Sequence, residues 1–330
     1  MRRRQLLAVA AGTLLAGPLS VPAKSNEGAP AIGFLGIASR ASHTADLEGL
    51  RLGLEQLGYR PGRTIVILER YADGSMERFP RLLDQVLDSG VRIVVVPGLA
   101  AALAVRERAP ELPAVAVGLP STVIYPDLFA SLQRPGGSVT GFSHFGEDLA
   151  EKRVELLRTA VPDLETVAIL HNAIDPLYRS WGEKTEMAAR QKGLQTIRLG
   201  LEAPSTDELG RLMASSRAAG ASGLIVVRDF LTHTLQAEII RVADDQRLAT
   251  MAEQRSFVAA GGLMSYGANF PELFRRAAAY IDQILNGASP AEMPIQLATE
   301  IELVVNLQTA EALEIKIPRS ILVRANEVIE

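Results

Sequence analysis

Residues 93–102 (IVVVPGLAAA) constrain the fold more than any other stretch. Ile93, Val94, Val95 and Val96 form a short β-branched run, which reads as a strand buried on both faces. Pro97 and Gly98 stop it, residues 100–108 can continue as a helix, and Pro110 ends that helix. A buried strand, a glycine turn and a helix start make one half of a βαβ unit. In open α/β sheets ligands bind at such turns, beyond the carboxyl ends of the strands. The helix start also offers unpaired N–H groups to an anion.

The same arrangement recurs along the chain. Strands are expected at residues 31–35, 64–68, 93–96, 114–117 and 139–142, with helices at 46–57, 76–87 and 100–108 between them. After residues 143–148 the pattern restarts. Helices are expected at 149–160, 177–191, 206–219 and 235–245, and strands at 166–170, 194–199, 223–227 and 249–251. Alternation of this kind predicts two parallel sheets covered on both faces, each with its strand-to-helix turns on one edge. The expected fold class is α/β: two Rossmann-like lobes joined by a hinge. Residues 31–145 plus about 267–290 form the first lobe and residues 146–266 the second. The glycine-rich run 261–267 (GGLMSYG) is expected to cross back to the first lobe, and residues 291–330 have no lobe assigned by pattern.

The amino-terminal residues read as a separate signal. Arg2, Arg3 and Arg4 precede an apolar stretch, residues 6–19, and Val21-Pro22-Ala23 resembles a small-residue cleavage site. Residues 1–23 are therefore expected to direct export, by either the general secretory or the twin-arginine route, and residues 24–30 to form a linker. A periplasmic location follows. The chain has no cysteine, which excludes disulfides, a thiolate metal site and a lipid-modified cysteine after the leader. It carries 34 basic against 38 acidic residues, and loses three of the basic ones with the leader; a nucleic-acid surface is not expected.

The candidate ligand-binding residues lie on the turns at the two sheet edges. In the first lobe they are Ser39, then Gly98, Leu99 and Ala100, then Leu119 and Pro120. In the second they are His171, Asn172 and Asp175, then Arg228 and Asp229, then Glu253. Tyr266 can stack on an aromatic ligand or pack at the hinge. Ser39 can bond a ligand or cap the following helix. Asp175 and Asp229 can each cap a helix or pair with a ligand ammonium. Arg228 can clamp a carboxylate or pair with Asp229. His171 can line the cleft or sit exposed in its turn. Glu253 has no evident capping duty, so it and Asn172 are expected to touch the ligand, and their removal to spare the unliganded fold. The four histidines, His43, His144, His171 and His233, show no metal-ligand spacing. No GxGxxG fingerprint or GK[ST] phosphate loop is present. No metal, cofactor or catalytic constellation is expected.

The chain also resembles a known family, the substrate-binding proteins of bacterial ABC importers of the tryptophan/tyrosine type. The segments that carry the likeness are residues 49–59 (GLRLGLEQLGY), 132–141 (LQRPGGSVTG), 260–267 (AGGLMSYG), 302–306 (ELVVN) and 322–330 (LVRANEVIE). The resemblance implies a type I periplasmic binding protein, with two lobes, three crossing segments and the ligand between them. It implies a membrane permease and an ATPase as partners. A monomer is expected. Three positions depart from the family pattern. Leu99 stands where a hydroxyl residue is common, Leu119 where an acid is common, and Asn172-Ala173-Ile174-Asp175-Pro176 where Asn-Pro-Ala-Asn-Pro is usual. The two leucines imply a more apolar ligand. The function expected is a non-catalytic solute receptor for a small aromatic or apolar amino acid or related carboxylate. An exported sensor of the same fold feeding a membrane kinase is the second expectation, and an exported α/β enzyme the third.

Overall fold

The central strands of the first sheet place alternate residues in different cores. The computed structural model describes residues 28–120 and 128–330; the expected leader and the first part of the linker lie outside them. The first sheet contains β1 (Ala31–Gly36), β2 (Val66–Tyr71), β3 (Ile93–Pro97), β4 (Ala114–Pro120) and β5 (Val139–His144), all parallel, in the order β5-β4-β3-β1-β2. Between them run α1 (Thr44–Gln56), α2 (Phe79–Asp88) and α3 (Leu99–Arg108). Leu35, Val94, Val96, Ala114 and Ala116 face α2 and α3, while Phe34, Ile93, Val95, Val115 and Val117 face the other way. This period-two split is what a sheet covered on both faces requires.

The second half repeats the plan. Its strands are β6 (Thr166–Asn172), β7 (Gln195–Leu201), β8 (Gly223–Val226), β9 (Ala249–Ala252) and β10 (Met264–Ala268), in the order β10-β9-β8-β6-β7. Its helices are α4 (Ala150–Ala160), α5 (Pro176–Gln191), α6 (Thr206–Ala218), α7 (Phe230–Thr234), α8 (Gln236–Asp245) and α9 (Arg255–Ala259). In each sheet the strand order turns back between the first and third strands, β1 and β3 in one, β6 and β8 in the other. The turns that follow those strands flank the crevice where such sheets bind ligands.

The remainder of the chain ties the halves together. From β10 it enters α10 (Phe270–Leu285), which packs along α1 on the first lobe. Gly49 and Gly53 permit this contact: a Cβ at either would lie 2.2 Å from the Pro271 carbonyl oxygen or 2.1 Å from that of Arg275. The chain then adds β11 (Gln296–Leu297) to the first sheet beside β5, and returns as β12 (Ile301–Asn306), antiparallel to β10. It ends through α11 (Leu307–Ala312), α12 (Arg319–Leu322) and β13 (Glu327–Ile329), which pairs with β12. Three segments thus pass between the sheets.

Two expectations change here. The run 261–267, read as crossing because of its glycines, instead enters a strand of the second sheet, Met264–Ala268. Met264 and Tyr266 pack into its core while Gly267 abuts the Glu253 backbone. Residues 291–330, unassigned by pattern, divide at residues 298–300, with β11 in the first sheet and everything after it in the second.

Candidate ligand site between the two lobes

The turns after β1 and β3 meet the turn after β8 across a narrow cleft, nearly closed, with about 20 Å³ of room for a water-sized sphere. Ile37, Leu99, Tyr178 and Phe230 supply its apolar lining, and His43, Arg228, Asp229 and His233 its polar groups. Leu177 and Phe230, both from the second lobe, also pack on the first lobe's core, so the lobes are in direct contact. A further bridge runs through the hydroxyls after β1. Ser39 Oγ lies 2.8 Å from Ser42 Oγ, and Ser42 Oγ donates to the His233 carbonyl at 2.7 Å.

Gly98 turns the chain from β3 into α3 with φ at 85°, a conformation that favours glycine. No side chain caps α3, so its first turn is available to an acceptor in the cleft. The opposing turn is built differently. Asp229 caps α7: Oδ1 accepts from Thr232 N at 2.9 Å, and Thr232 Oγ1 accepts from Asp229 N at 3.0 Å. Asn172 Nδ2 donates to Asp229 Oδ2, while Asn172 Oδ1 accepts from Ile174 N and Asp175 N. Asp229 is fully buried, and burial pushes its carboxyl above the usual range, against the lowering effect of these bonds.

Arg228 carries the cleft's cation. Its guanidinium carbon sits 4.0 Å from the centroid of the Phe270 ring, which belongs to the first lobe, and its buried Nε has no hydrogen-bond partner. Its backbone N–H donates to Glu253 Oε1 at 3.3 Å. Behind it lies a buried ionic group. Glu253 Oε1 is 3.4 Å from Arg153 Nη1, and Glu253 Oε2 is 3.8 Å from His144 Nε2. Arg153 also donates to the carbonyls of Tyr266 and Gly146, at 2.7 and 2.6 Å. Burial lowers the His144 pKa to about 4, outweighing Glu253, and its Nδ1 lies 3.0 Å from the Leu119 carbonyl.

The structure gathers Gly98, Leu99, Ala100, Arg228 and Asp229 into the cleft, with Ser39 at its bridging edge. Glu253 lies beyond Arg228, lining a second small cavity, where it compensates Arg153. The other expected residues have different duties. Leu119 is buried in the first lobe's core, and Pro120 pairs with His144 in the sheet. Leu119 therefore presents no apolar surface to a ligand, and the sequence argument for an apolar ligand rests on Leu99. His171 is neither exposed nor in the cleft. Its ring packs under α5, where a Cβ at Gly182 would lie 2.8 Å from it, and burial lowers its pKa. Asn172 is a buried staple, and Asp175 caps α5 by accepting from Leu177 N at 2.8 Å. Tyr266 packs with the second lobe's core.

Sequence reading missed Ile37, Ala38, His43, Pro97, Tyr178, Phe230 and His233. Several of these lie in the turn after β1 or in the one-turn helix α7, where residue spacing gives no periodic signal. His43 and His233 approach from opposite lobes, their ring centroids 5.0 Å apart. His43 Nδ1 lies 3.0 Å from Asp46 Oδ2. Burial, His43 and Arg228 together hold the His233 pKa well below its ordinary value.

Known proteins share this architecture. A tyrosine-binding protein of Clostridioides difficile (strain R20291) is 21% identical over 285 residues, 86% of this chain and 81% of that protein. The structure of an ABC domain in complex with L-Trp from Streptococcus pneumonia superposes with a TM-score of 0.80 at 24% identity, covering 91% of this chain and 99% of the other. A conserved domain protein from Vibrio cholerae gives a TM-score of 0.79 at 22% identity over the same shares. The family model described as ABC transporter substrate binding protein matches residues 31–329, nearly all of the described chain, and the protein belongs to that family.

Proposed function

We propose that this family member is an exported, non-catalytic receptor that closes its lobes over a small carboxylate with an aromatic or apolar body, an aromatic amino acid first among them. The carrying observation is Arg228: a half-buried guanidinium whose Nε lacks a partner, placed in one cleft with the uncapped start of α3. A guanidinium and free helix N–H groups both match a carboxylate. Ile37, Leu99, Tyr178 and Phe230 offer the rest of the solute an apolar wall, and Asp229 is the carboxylate in the same lining. The tyrosine-binding relative and the L-Trp complex support an aromatic amino acid as the first ligand to test.

Binding then acts by shifting an open–closed equilibrium, because both lobes contribute to the cleft. The closed form docks on a permease whose ATPase drives uptake, and the protein works as a monomer in the periplasm after removal of its leader. A thermal-shift screen of the purified protein tests this reading. Tyrosine, tryptophan, phenylalanine, aromatic acids and branched-chain amino acids form the panel. A true ligand at 100 times its Kd adds about 2.7 kcal/mol and raises the melting temperature. A panel in which no carboxylate moves the melt removes Arg228 as an anion clamp and the proposal with it.

A further inference from the structure

We propose that His43, Asp46 and His233 form an interlobe site for a divalent transition-metal ion of the zinc, nickel or copper class. One donor atom from each lies within 4.8 Å of the other two. The three residues are 2%, 3% and 5% exposed, and the Nε2 atoms of both histidines are buried without a hydrogen-bond partner. Buried polar atoms are nearly always satisfied, so the open His233 nitrogen, facing the His43–Asp46 pair of the other lobe, calls for an occupant. Two imidazoles and one carboxylate are a donor set suited to zinc and its neighbours, and poorly suited to calcium or magnesium.

The His43 Nδ1–Asp46 Oδ2 distance of 3.0 Å is near the ligand–ligand edge of roughly 3.4 Å in a zinc tetrahedron. Small adjustments therefore admit the ion. His43 and His233 both line the main cleft, which leaves a remaining coordination position on the solute side. Arg228 and Asp229 are the charged groups of the facing turn; their charges offset, and Asp46 supplies the net negative charge that favours a cation. His43 stands at the start of α1 and His233 within α7, so an occupied site fastens one lobe to the other. Sequence spacing gave no sign of it because the lobes, not the chain, bring the histidines together.

The site does not depend on which organic solute binds, and its test uses none. Chelator-treated protein is titrated with ZnCl2 by calorimetry and with CoCl2 by visible absorption. One saturable zinc site per chain and the visible bands of cobalt bound to imidazole are expected. His233→Gln and His43→Gln should each weaken zinc binding by about 100-fold or more, and Asp46→Asn by about 10- to 100-fold. His171→Gln, outside the cluster, should leave it unchanged. Absence of saturable binding to the unaltered protein overturns the site, as does zinc binding by a folded His233→Gln variant at the original affinity. Solute binding measured in chelator reports separately on the receptor function.

Discussion

The Arg228 guanidinium carbon lies 4.0 Å from the ring centroid of Phe270, so a cation of the second lobe rests on an aromatic residue of the first lobe's core. That contact exists only while the lobes are together. Arg228 also lines the cleft between the lobes. On the proposed reading, closure and anion recognition share this side chain.

Replacing Arg228 tests this coupling. Charge-assisted hydrogen bonds contribute about 1.5–3 kcal/mol, so Arg228→Gln should weaken a carboxylate ligand by roughly 10- to 150-fold in a binding titration. Arg228→Lys should recover little, because an ammonium cannot reproduce a flat, two-pronged donor. Phe270→Leu should act more mildly, by about 0.5–2 kcal/mol, and show itself as a larger radius of gyration in solution scattering. Unchanged affinity in Arg228→Gln would mean that the anion binds elsewhere.

Asn172 makes the opposite case. It is buried, with its carbonyl accepting two backbone N–H groups and its amide donating to Asp229. Asn172→Ala leaves those groups unsatisfied at about 1–3 kcal/mol each. The unliganded protein should therefore melt several degrees lower. Sequence reasoning expected the reverse, a lost ligand with an intact fold. A variant that melts like the parent would restore that view.

The contrast between Asn172 and Arg228 shows what the sequence could disclose. Both stand on strand-to-helix turns, and strand and turn positions were legible because β-branched runs, prolines and glycines mark them locally. The two sheets and the edge on which their turns meet followed from that alternation. Whether a turn residue faces inward to its neighbours or outward to a ligand depends on contacts between distant segments. Asn172 meets Asp229 across β6 and β8, and Glu253 meets Arg153 across β9 and α4. Neither pairing has a local mark. His43 and His233 went unnoticed for the same reason, and β10 was hidden because Gly267, like Gly261 and Gly262 before the strand, reads as a turn while it serves close packing.

Gly53 separates helix propensity from packing. Alanine at an exposed helical position would be more stable by about 1 kcal/mol. Here its Cβ would lie 2.1 Å from the Arg275 carbonyl oxygen and 2.8 Å from Ala278 Cβ, so α1 and α10 would have to separate. Overpacking of this kind costs about 1–3 kcal/mol. Gly53→Ala should therefore be net destabilising in urea unfolding, whereas Gly210→Ala, with open space around its Cβ position in α6, should be neutral or stabilising. Equal effects at the two sites would show that α1 and α10 do not pack this closely.

Acid stability follows from His144. Its pKa is lowered from 6.5 to about 4 by burial, with Arg228 and Arg153 adding to the shift and Glu253 opposing it. As pH falls from 6.5, the unfolded chain takes up a proton on this residue before the folded chain does, so stability declines with pH through that window and levels off below about 4. The contribution is roughly 3 kcal/mol, and buried His171 and His233 add to it with the same sign. Asp229 acts the other way, since a carboxyl whose pKa is raised on folding takes its proton first in the folded state and gains stability as pH falls. Urea unfolding from pH 7.5 to pH 4 should show a falling midpoint. His144→Gln, which keeps a donor for the Leu119 carbonyl but cannot titrate, should flatten that fall. A His144→Gln profile as steep as that of the parent would assign the acid sensitivity to other groups.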